Sequence, residues 1–461
     1  MTRRAVIAFL VVGTIGACAG PPSASSDGLL HLCISWTTRE LARCGVVSVA
    51  EDRSIATGRR IDLHVMVLPA RDRRISPAPL VFLDGGPGLS AIHDAAYASG
   101  VLADLRATHD LLLVDMRGTG KSNPLRCDLY DDDGRLAPYL APMFPLVRVR
   151  ECAKRLSTRA DLTQYTTTAA AADLEAVRSA LGYPQLNLYG ASYGTRLALE
   201  YMRRYPERVR RSVLLSPIPP NEVVGSAISR AGDDALTIAI ASCRIDDVCN
   251  SAAPDPRADI DALLTRLQRQ AVTVRLWNWR RLSHDSVALT RRGVAELLWV
   301  ESYDPDAIVR AFPRVHQAVA GNYLPLVTQL LGASRRRRAD RSEGLMLSVF
   351  CAEDVPWLHD SSSSLAATRV LGNPIVPELI AACADWPRGR IASDFKLPVR
   401  SSVPTLIIAG GRDPVTPSDI AESTATFLSR HELYVDSTKG HGSLDDRAIE
   451  LMKNFFIKKI D

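Results

Sequence analysis

The stretch that decides the fold is Gln185–Arg196, which reads QLNLYGASYGTR. Its apolar run Leu186–Tyr189 predicts a buried strand, and Thr195–Tyr205 predicts a helix. The turn between them, GASYG, fits the pattern G-x-S-x-G, in which a serine occupies a strained conformation and the flanking glycines prevent collisions. We therefore expect Ser192 to be a nucleophile, with the N–H of Tyr193 beside it at the positive end of the new helix.

Short apolar runs that alternate with predicted helices flank this stretch on both sides. The predicted strands are Val46–Val49, Ile61–Leu68, Leu80–Leu83, Leu111–Val114, Val209–Leu215, Thr405–Ala409 and Leu433–Val435. Helices are predicted at Thr168–Leu181 and Ser443–Ile457, among others. This alternation implies an α/β fold with a mostly parallel sheet and helices on both faces.

The alternation stops between about Asn221 and Arg400, where the sequence is mostly helical and holds five of the six tryptophans. A helical block between two late strands predicts a cap over the carboxyl ends of the strands, where open α/β sheets bind ligands. The predicted organisation is a signal segment (1–18), a linker (19–30), a core in two parts (31–220 and 401–461) and an inserted cap (221–400).

The composition is that of a globular protein with ample material for a core. The chain has 461 residues, of which 46% are hydrophobic and 23% charged, and suggests one large domain with an insertion or two domains. The net charge of +5 is small and dispersed, which argues against a nucleic-acid partner. No C-x-x-C pair or histidine cluster suggests a metal site, so we expect no metal. We also expect no organic cofactor and a monomeric protein.

The first residues resemble an export signal, with a charged start and an apolar run, Ala5–Ile15, too short to span a membrane. Two processing sites compete. The sequence IGAC ending at Cys18 fits a lipobox, which would attach the protein to a membrane through lipid, whereas ACA before Gly20 fits release as a free protein. We favour lipidation because residues 19–27 have a tether's composition, and we expect a periplasmic or outer-membrane bacterial protein.

Eight of the nine cysteines remain when Cys18 is set aside, and an even number in an exported chain indicates disulfides. Eight cysteines allow on the order of a hundred pairings, so the spacing leaves the connectivity open. Pairing between neighbours in the sequence would give Cys33–Cys44, Cys127–Cys152, Cys243–Cys249 and Cys351–Cys383.

A serine nucleophile needs a base within hydrogen-bond reach, and that base needs a carboxylate to orient it. In a hydrolase sheet of this type the order along the chain is serine, acid, histidine. His441 follows the last strand in a flexible KGHG loop, and Asp413 follows the preceding strand. We expect these two residues to complete the set, with Glu222 as the alternative acid.

The negative charge that develops on a carbonyl oxygen during acyl transfer needs two backbone donors. One is the N–H of Tyr193. The other should come from the loop after the third predicted strand, GGPG at residues 85–88, where the lack of side chains lets the backbone approach a substrate. We expect Gly86 to be the second donor; a plain tight turn is the alternative interpretation.

Five motifs in chain order together resemble the proline iminopeptidase and tripeptidyl aminopeptidase family of exported serine peptidases. They are residues 85–88 (GGPG), 115–122 (DMRGTGKS), 190–195 (GASYGT), 411–417 (GRDPVTP) and 440–442 (GHG). The similarity extends from about Cys33 to the C-terminus. It implies an α/β-hydrolase fold with a helical cap, peptide substrates cut near their N-termini, and triad positions for Ser192, Asp413 and His441.

The resemblance also bears on substrate recognition. An enzyme that acts on N-termini must bind a free ammonium group, normally with carboxylates. The sequence Cys-Ala-Glu-Asp at 351–354 resembles the family's Cys-x-Glu region, which makes Glu353 the candidate amine anchor. Asp84, where relatives often have His, and also Leu89 and Met116 depart from the family's commoner residues, and these departures concern substrate choice more than the reaction.

The sequence thus predicts an exported serine exopeptidase of prolyl or tripeptidyl type that works through an acyl-enzyme. A carboxylesterase or lipase-like hydrolase with the same triad is the alternative, because one fold hosts many acyl substrates. A non-catalytic binding protein is disfavoured, because such a scaffold is free to lose the serine, aspartate and histidine that this chain retains.

Overall fold

A computed structural model describes residues 28–72, 76, 78–130, 133–338, 341–358 and 375–458. The predicted signal segment, the lipid acceptor Cys18 and most of the linker lie outside the described residues. Within the described ranges, no helix is both long enough and apolar enough to cross a membrane.

The described residues form a nine-stranded sheet in the order β1-β2-β3-β5-β4-β6-β7-β10-β11. Its strands are β1 (Leu30–Ile34), β2 (Leu41–Ala50), β3 (Arg60–Leu68), β4 (Leu80–Leu83), β5 (Leu111–Val114), β6 (Leu186–Ala191), β7 (Val209–Leu215), β10 (Thr405–Gly410) and β11 (His431–Asp436). The strands β1, β2 and β3 form an antiparallel edge, and those from β5 across to β11 are parallel. The predicted mostly parallel sheet is confirmed, and β1 is an additional strand.

Helices connect the strands and build the region above the sheet. They are α1 (Ala95–Val101), α2 (Leu146–Ser157), α3 (Thr167–Ala180), α4 (Tyr193–Arg204), α5 (Val224–Ile245), α6 (Asp247–Ala252), α7 (Pro256–Arg269), α8 (Arg291–Glu301), α9 (Pro305–Val319), α10 (Leu324–Arg338), α11 (Glu343–Glu353), α12 (Ile375–Cys383), α13 (Ser418–Ala425) and α14 (Asp446–Ile457).

Both faces of the sheet are covered, because successive residues of each parallel strand enter different hydrophobic clusters. In β6, Leu188 packs in a cluster with residues of α3, α4 and α13, whereas Tyr189 packs with residues of α1 and α14. The strands β4 and β5 are buried along their whole length, as expected for parallel strands between two helical layers.

The cap differs from the sequence-based expectation in two respects. It contains an antiparallel hairpin of β8 (Val272–Asn278) and β9 (Ser283–Leu289) among its helices. In addition, apolar residues between Leu125 and Tyr165, which the sequence assigned to the core, pack in the same hydrophobic cluster as residues of the cap helices. Residues from two separate parts of the chain therefore contribute to one hydrophobic cluster in this region.

Four disulfides join neighbours in the sequence, in the arrangement given by local pairing. They are Cys33–Cys44, Cys127–Cys152, Cys243–Cys249 and Cys351–Cys383. The first links the edge strands β1 and β2, and the last links α11 to α12 within the cap.

A buried ion pair connects the core to the cap directly behind the serine turn. Arg196 on α4 donates two hydrogen bonds to Asp354, of 2.7 and 3.1 Å, and a third to the carbonyl of Glu222 at 3.0 Å. Both side chains of the ion pair are buried. Asp354 also accepts a hydrogen bond from the N–H of Val224, where α5 begins.

We expect Asp354→Asn to lower the free energy of unfolding by about 3–5 kcal/mol, because the buried guanidinium of Arg196 loses its main counter-charge. Urea unfolding followed by circular dichroism measures this change. Asp261→Asn is the control, since Asp261 pairs with Arg257 across an exposed helix turn at 3.1 Å and contributes less than about 0.5 kcal/mol. Equal effects of the two substitutions would contradict a role for the ion pair in holding the cap.

Candidate active site

The turn after β6 places Ser192 in a conformation that side chains rarely adopt. Its φ is 53° and its ψ is −122°, which costs on the order of 1–3 kcal/mol. The glycines on either side make the turn possible: a Cβ on Gly190 would lie 2.6 Å from the carbonyl oxygen of Gly194, and one on Gly194 would lie 1.9 Å from that of Leu83. The turn therefore presents the hydroxyl of Ser192 where α4 begins.

The imidazole of His441 reaches this hydroxyl from the loop after β11. Its Nε2 lies 3.0 Å from Ser192 Oγ. The backbone N–H of His441 donates to the carbonyl of Tyr303 at 2.9 Å, and the Tyr303 ring meets the imidazole edge-on with 5.0 Å between centroids. On the other side, the N–H of Gly442 donates to Ser216 Oγ at 2.9 Å. These contacts fix the imidazole against the serine.

The carboxylate of Asp413 lies on the far side of the imidazole. His441 Nδ1 is 2.8 Å from Asp413 Oδ2 and 3.0 Å from Oδ1. The N–H groups of Val415 and Thr416 and the Thr416 hydroxyl also donate to this carboxylate, each at 2.8 Å. Burial alone would raise the pKa of Asp413, but His441 and these donors outweigh burial and hold the pKa below its usual value.

The structure thus brings together Ser192, His441 and Asp413 as the sequence predicts, in a chain of hydrogen bonds from hydroxyl to imidazole to carboxylate. Asp413, rather than Glu222, is the carboxylate in contact with the imidazole. The arrangement can transfer a proton from Ser192 Oγ to His441 Nε2 while the carboxylate stabilises the charged imidazole.

The loop after β4 packs directly against the serine turn. A Cβ on Gly85 would lie 3.3 Å from Ser192 Cβ, so a side chain at this position would push the two turns apart by a few tenths of an ångström. The N–H of Gly85 donates to Asp84 Oδ1 at 2.6 Å and is therefore engaged within the loop. Gly86, with a φ of 112°, lines the same cavity as Ser192 and Tyr193. Both positions expected at an oxyanion site, Gly86 and Tyr193, therefore line the cavity that contains the serine.

A cavity of about 560 Å³ separates the serine turn from the cap. Much of its wall is apolar, with contributions from Phe144, Ile228, Trp299 and Phe350. Charged side chains also line it, namely Asp84, Asp94, Arg336 and Arg341. The cavity is large enough for a few amino-acid residues and has both an apolar and a charged region.

The structure corrects the position expected for Glu353, the candidate amine anchor. Glu353 is fully buried and does not line the cavity. Its carboxylate accepts hydrogen bonds from the N–H of Thr167 at 2.6 Å and from the Thr167 hydroxyl at 2.8 Å, and it lies 3.5 Å from Arg196. The Thr167 hydroxyl also contacts the Tyr193 hydroxyl at 2.9 Å, so Glu353 supports the wall of the site from behind.

Burial raises the pKa of Glu353 from 4.5 to about 7, although Arg196 and Thr167 oppose the rise. The folded protein therefore binds a proton at Glu353 that the unfolded chain releases between pH 4.5 and 7, so the free energy of unfolding falls as the pH rises through this interval. We expect this loss to be about 3 kcal/mol.

Glu353→Gln cannot ionise and should remove this contribution. Urea unfolding of both proteins at pH 4.5, 5.5 and 7.5 tests this prediction. As the pH rises, the free energy of unfolding of wild type should fall relative to that of the variant. Parallel pH dependences for the two proteins would show that Glu353 keeps an ordinary pKa.

Thr416 and Tyr303 are two site residues that the sequence analysis missed. Thr416 lies within the GRDPVTP motif, three residues after Asp413. This spacing could have predicted a hydrogen bond between the threonine and the carboxylate. Tyr303 belongs to the cap, and nothing in its local sequence indicates a contact with His441. A Cβ on Gly440 would lie 2.1 Å from the Tyr303 carbonyl oxygen, which explains the glycine before the histidine.

The sequence profile of the alpha/beta hydrolase fold matches residues 78–448, which include the strands β4 to β11, the cap and the three residues of the hydrogen-bonded chain. The chain belongs to the α/β-hydrolase family. This membership confirms the fold class expected from the alternating strands and helices.

Three relatives of this α/β hydrolase carry peptidase names. A tripeptidyl aminopeptidase of Streptomyces lividans is 31% identical over 200 residues, but the match covers 40% of this chain and only 37% of that protein. The serine protease Hip1 of Mycobacterium tuberculosis is 25% identical over 94% of this chain and 90% of its own length. A proline iminopeptidase of Aeromonas sobria is 24% identical, with coverages of 83% and 88%. The chain is thus a hydrolase related to serine peptidases and aminopeptidases.

Proposed function

We propose that this protein is an exported serine exopeptidase that hydrolyses peptides near their free N-termini. The observation that carries the proposal is the hydrogen-bonded chain Ser192–His441–Asp413 at the floor of a cavity closed by the cap. The names of the relatives support a peptide substrate, and a cap over the serine favours short chains and chain ends over the middle of a folded protein.

In the proposed reaction, Ser192 Oγ attacks the scissile carbonyl carbon and His441 Nε2 takes its proton. The imidazolium formed is stabilised by Asp413, which stays ionised because its pKa is held low by His441 and the donors of Thr416 and Val415 despite burial. His441 then gives the proton to the leaving amine, which departs and leaves an acyl ester on Ser192. A water molecule, deprotonated by the same imidazole, hydrolyses this ester and restores the serine.

When Ser192 attacks, a negative charge develops on the carbonyl oxygen of the substrate, and two backbone N–H groups are proposed to donate hydrogen bonds to it. Tyr193 supplies one at the start of α4, where the helix dipole adds to the attraction. Gly86 is the candidate for the second, since the neighbouring Gly85 N–H already donates to Asp84. Removing one such donor from an acyl-transfer site costs on the order of 10²–10³ in rate.

Four disulfides accord with export, because such bonds persist in oxidising compartments. Lipidation at Cys18, the division into a two-part core and a cap, and a monomeric state are part of the same proposal. Mass spectrometry of the mature N-terminus distinguishes a lipidated Cys18 from a free Gly20.

The decisive experiment compares substrates on purified, disulfide-intact protein. The panel contains fluorogenic amides of Pro, Ala and Ala-Ala-Pro, their N-acetylated versions and a short-chain nitrophenyl ester. Cleavage of free-amine peptides but not of acetylated ones would establish the exopeptidase and reveal how many residues leave per cut. Cleavage of the ester alone would replace the proposal with the carboxylesterase alternative.

A further inference from the structure

Two carboxyl groups line the cavity on the side of the loop after β4. Asp84 directly precedes Gly85, which packs beside Ser192. The backbone carbonyl oxygen of Asp84 would lie 2.9 Å from a Cβ on Gly194, so Asp84 also borders the serine turn. Asp94 immediately precedes α1. Both side chains face the cavity that contains Ser192 and His441. The pair therefore lies close to the nucleophile, on a part of the core that the cap does not supply.

One oxygen of this pair lacks a donor. Asp84 Oδ1 accepts the hydrogen bond from the N–H of Gly85, but Oδ2 is buried and has no hydrogen-bond donor among the described residues. A buried carboxylate oxygen without a donor is costly in a folded protein, and such atoms are commonly satisfied by a bound ligand or water. Asp94 cannot satisfy Oδ2 while it is ionised, because a carboxylate only accepts hydrogen bonds.

The charges of the cavity wall also leave room for a cation. Arg341 lines the cavity and its charge acts on Asp84, so it offsets one of the two carboxylates. Arg336 lies 3.9 Å from Glu301, which is outside the cavity lining, and so has a counter-charge of its own. When both carboxyls are ionised, one negative charge of the Asp84–Asp94 pair therefore remains unmatched, and a bound cation would replace the proton that the raised pKa of Asp84 favours on the pair.

Burial, and next the neighbouring Asp94 carboxyl, hold the pKa of Asp84 well above its usual range, while the N–H of Gly85 and the charge of Arg341 oppose the rise. A cation placed between the two carboxyls would relieve both causes, because it offsets their mutual repulsion and replaces lost hydration with hydrogen bonds. The electrostatics thus favour a ligand that brings a positive charge and several N–H donors.

We infer that Asp84 and Asp94 form the subsite that binds the free ammonium group of the substrate. This inference rests on the proposed exopeptidase function and names the residues that determine its specificity. An ammonium group has three N–H donors and one charge, which match the empty oxygen of Asp84 and the unmatched charge of the pair. An N-acetylated substrate offers no charge and should lose this interaction.

The position of the pair also accounts for an aspartate before the GGPG loop. A subsite on this loop holds the substrate amine at a fixed distance from Ser192, because the loop packs on the serine turn. Glu353 cannot take this role, since its carboxylate is buried against Thr167 and Arg196. The structure thus offers Asp84 and Asp94 in place of the residue that the sequence indicated.

Asp84→Asn and Asp94→Asn test the inference, with Asp104→Asn as the matched control. Asp104 is exposed and pairs with Lys453 at 2.9 Å, outside the cavity lining. The first measurement is kcat/KM for free-amine amides, which should fall about 10- to 100-fold in both cavity variants, mainly through KM. Hydrolysis of the nitrophenyl ester, which carries no ammonium group, should fall by a clearly smaller factor than amide hydrolysis in each cavity variant.

The second measurement does not depend on peptidase activity. Alanine amide should inhibit ester hydrolysis by wild type and by Asp104→Asn more strongly than N-acetylalanine amide does, and each cavity variant should lose this difference. If wild type cleaves only esters but shows this ammonium preference and the cavity variants lose it, the subsite stands and the exopeptidase proposal fails.

Three results would overturn the inference. The first is that wild type prefers free-amine peptides to N-acetylated ones and both cavity variants keep this preference. The second is an equal fall in amide and ester hydrolysis, which would give the pair a purely positioning role for the loop. The third is a wild type that shows no preference for an ammonium ligand in either assay.

Discussion

Ser192→Ala is expected to reduce kcat by about 10⁴- to 10⁶-fold, with little change in KM. The variant lacks the Oγ that lies 3.0 Å from His441 Nε2, so no acyl-enzyme can form. Residual hydrolysis would come from the backbone donors and substrate binding alone, which still accelerate the attack of water. Steady-state kinetics with the best substrate of the panel measure the change in kcat.

Because the residues of such a chain act as a unit, His441→Ala should cost about as much as Ser192→Ala, and the double variant should be hardly worse than either. A fluorophosphonate probe adds a covalent readout: wild type should gain the mass of the probe, whereas Ser192→Ala should not.

Ser212→Ala is the matched control for the loss of a serine hydroxyl. Ser212 is buried on β7, and its Oγ has no hydrogen-bond partner among the described residues, so its removal should leave activity and stability close to wild type. If Ser192→Ala kept a tenth of the wild-type activity, Ser192 would not be the nucleophile.

Much of the fold was predictable because its signals are local. The run Leu186–Tyr189 is a strand in which three of the four residues are apolar and all four are buried between two helical layers, and the structure extends that strand to Ala191. The relative positions of Ser192, Asp413 and His441 followed from chain order, since each comes directly after a parallel strand and the carboxyl ends of these strands share one edge of the sheet.

The features that escaped prediction depend on distant contacts or on exposure. The strand β1 exposes Leu32 and Ile34, so its sequence lacks the hydrophobic pattern of a buried strand. Pairing with β2 holds it in the sheet. The hairpin strand β8 did carry a signal, because Val272, Val274 and Leu276 alternate with polar residues as in a half-buried strand.

A local motif predicts Glu353 in the substrate site, but its surroundings are set by how α11 packs against Thr167 and Arg196 of the core. These partners lie far from Glu353 in the sequence, so no local pattern could predict the contacts. The same holds for Asp94, which reads as an ordinary residue before a helix and gains its significance only from its proximity to Asp84 in the cavity.

Asp413→Asn is expected to reduce kcat by about 10⁴-fold while the fold stays intact. In wild type, the carboxylate accepts the Nδ1 proton of His441, which leaves Nε2 free to accept the proton of Ser192. The amide of asparagine can present its NH₂ group to Nδ1 instead. That arrangement favours the tautomer with the proton on Nε2, which cannot accept a proton from the serine.

Glu222→Gln is the control that separates the two candidate acids, because Glu222 is the alternative carboxylate and the imidazole contacts Asp413. It should keep activity within about threefold of wild type. Unfolding curves of Asp413→Asn should show that the loss of rate is not a loss of folded protein. If Asp413→Asn stayed near wild-type activity and Glu222→Gln lost it, the imidazole would be oriented by Glu222, and the His441 loop would have to move during catalysis.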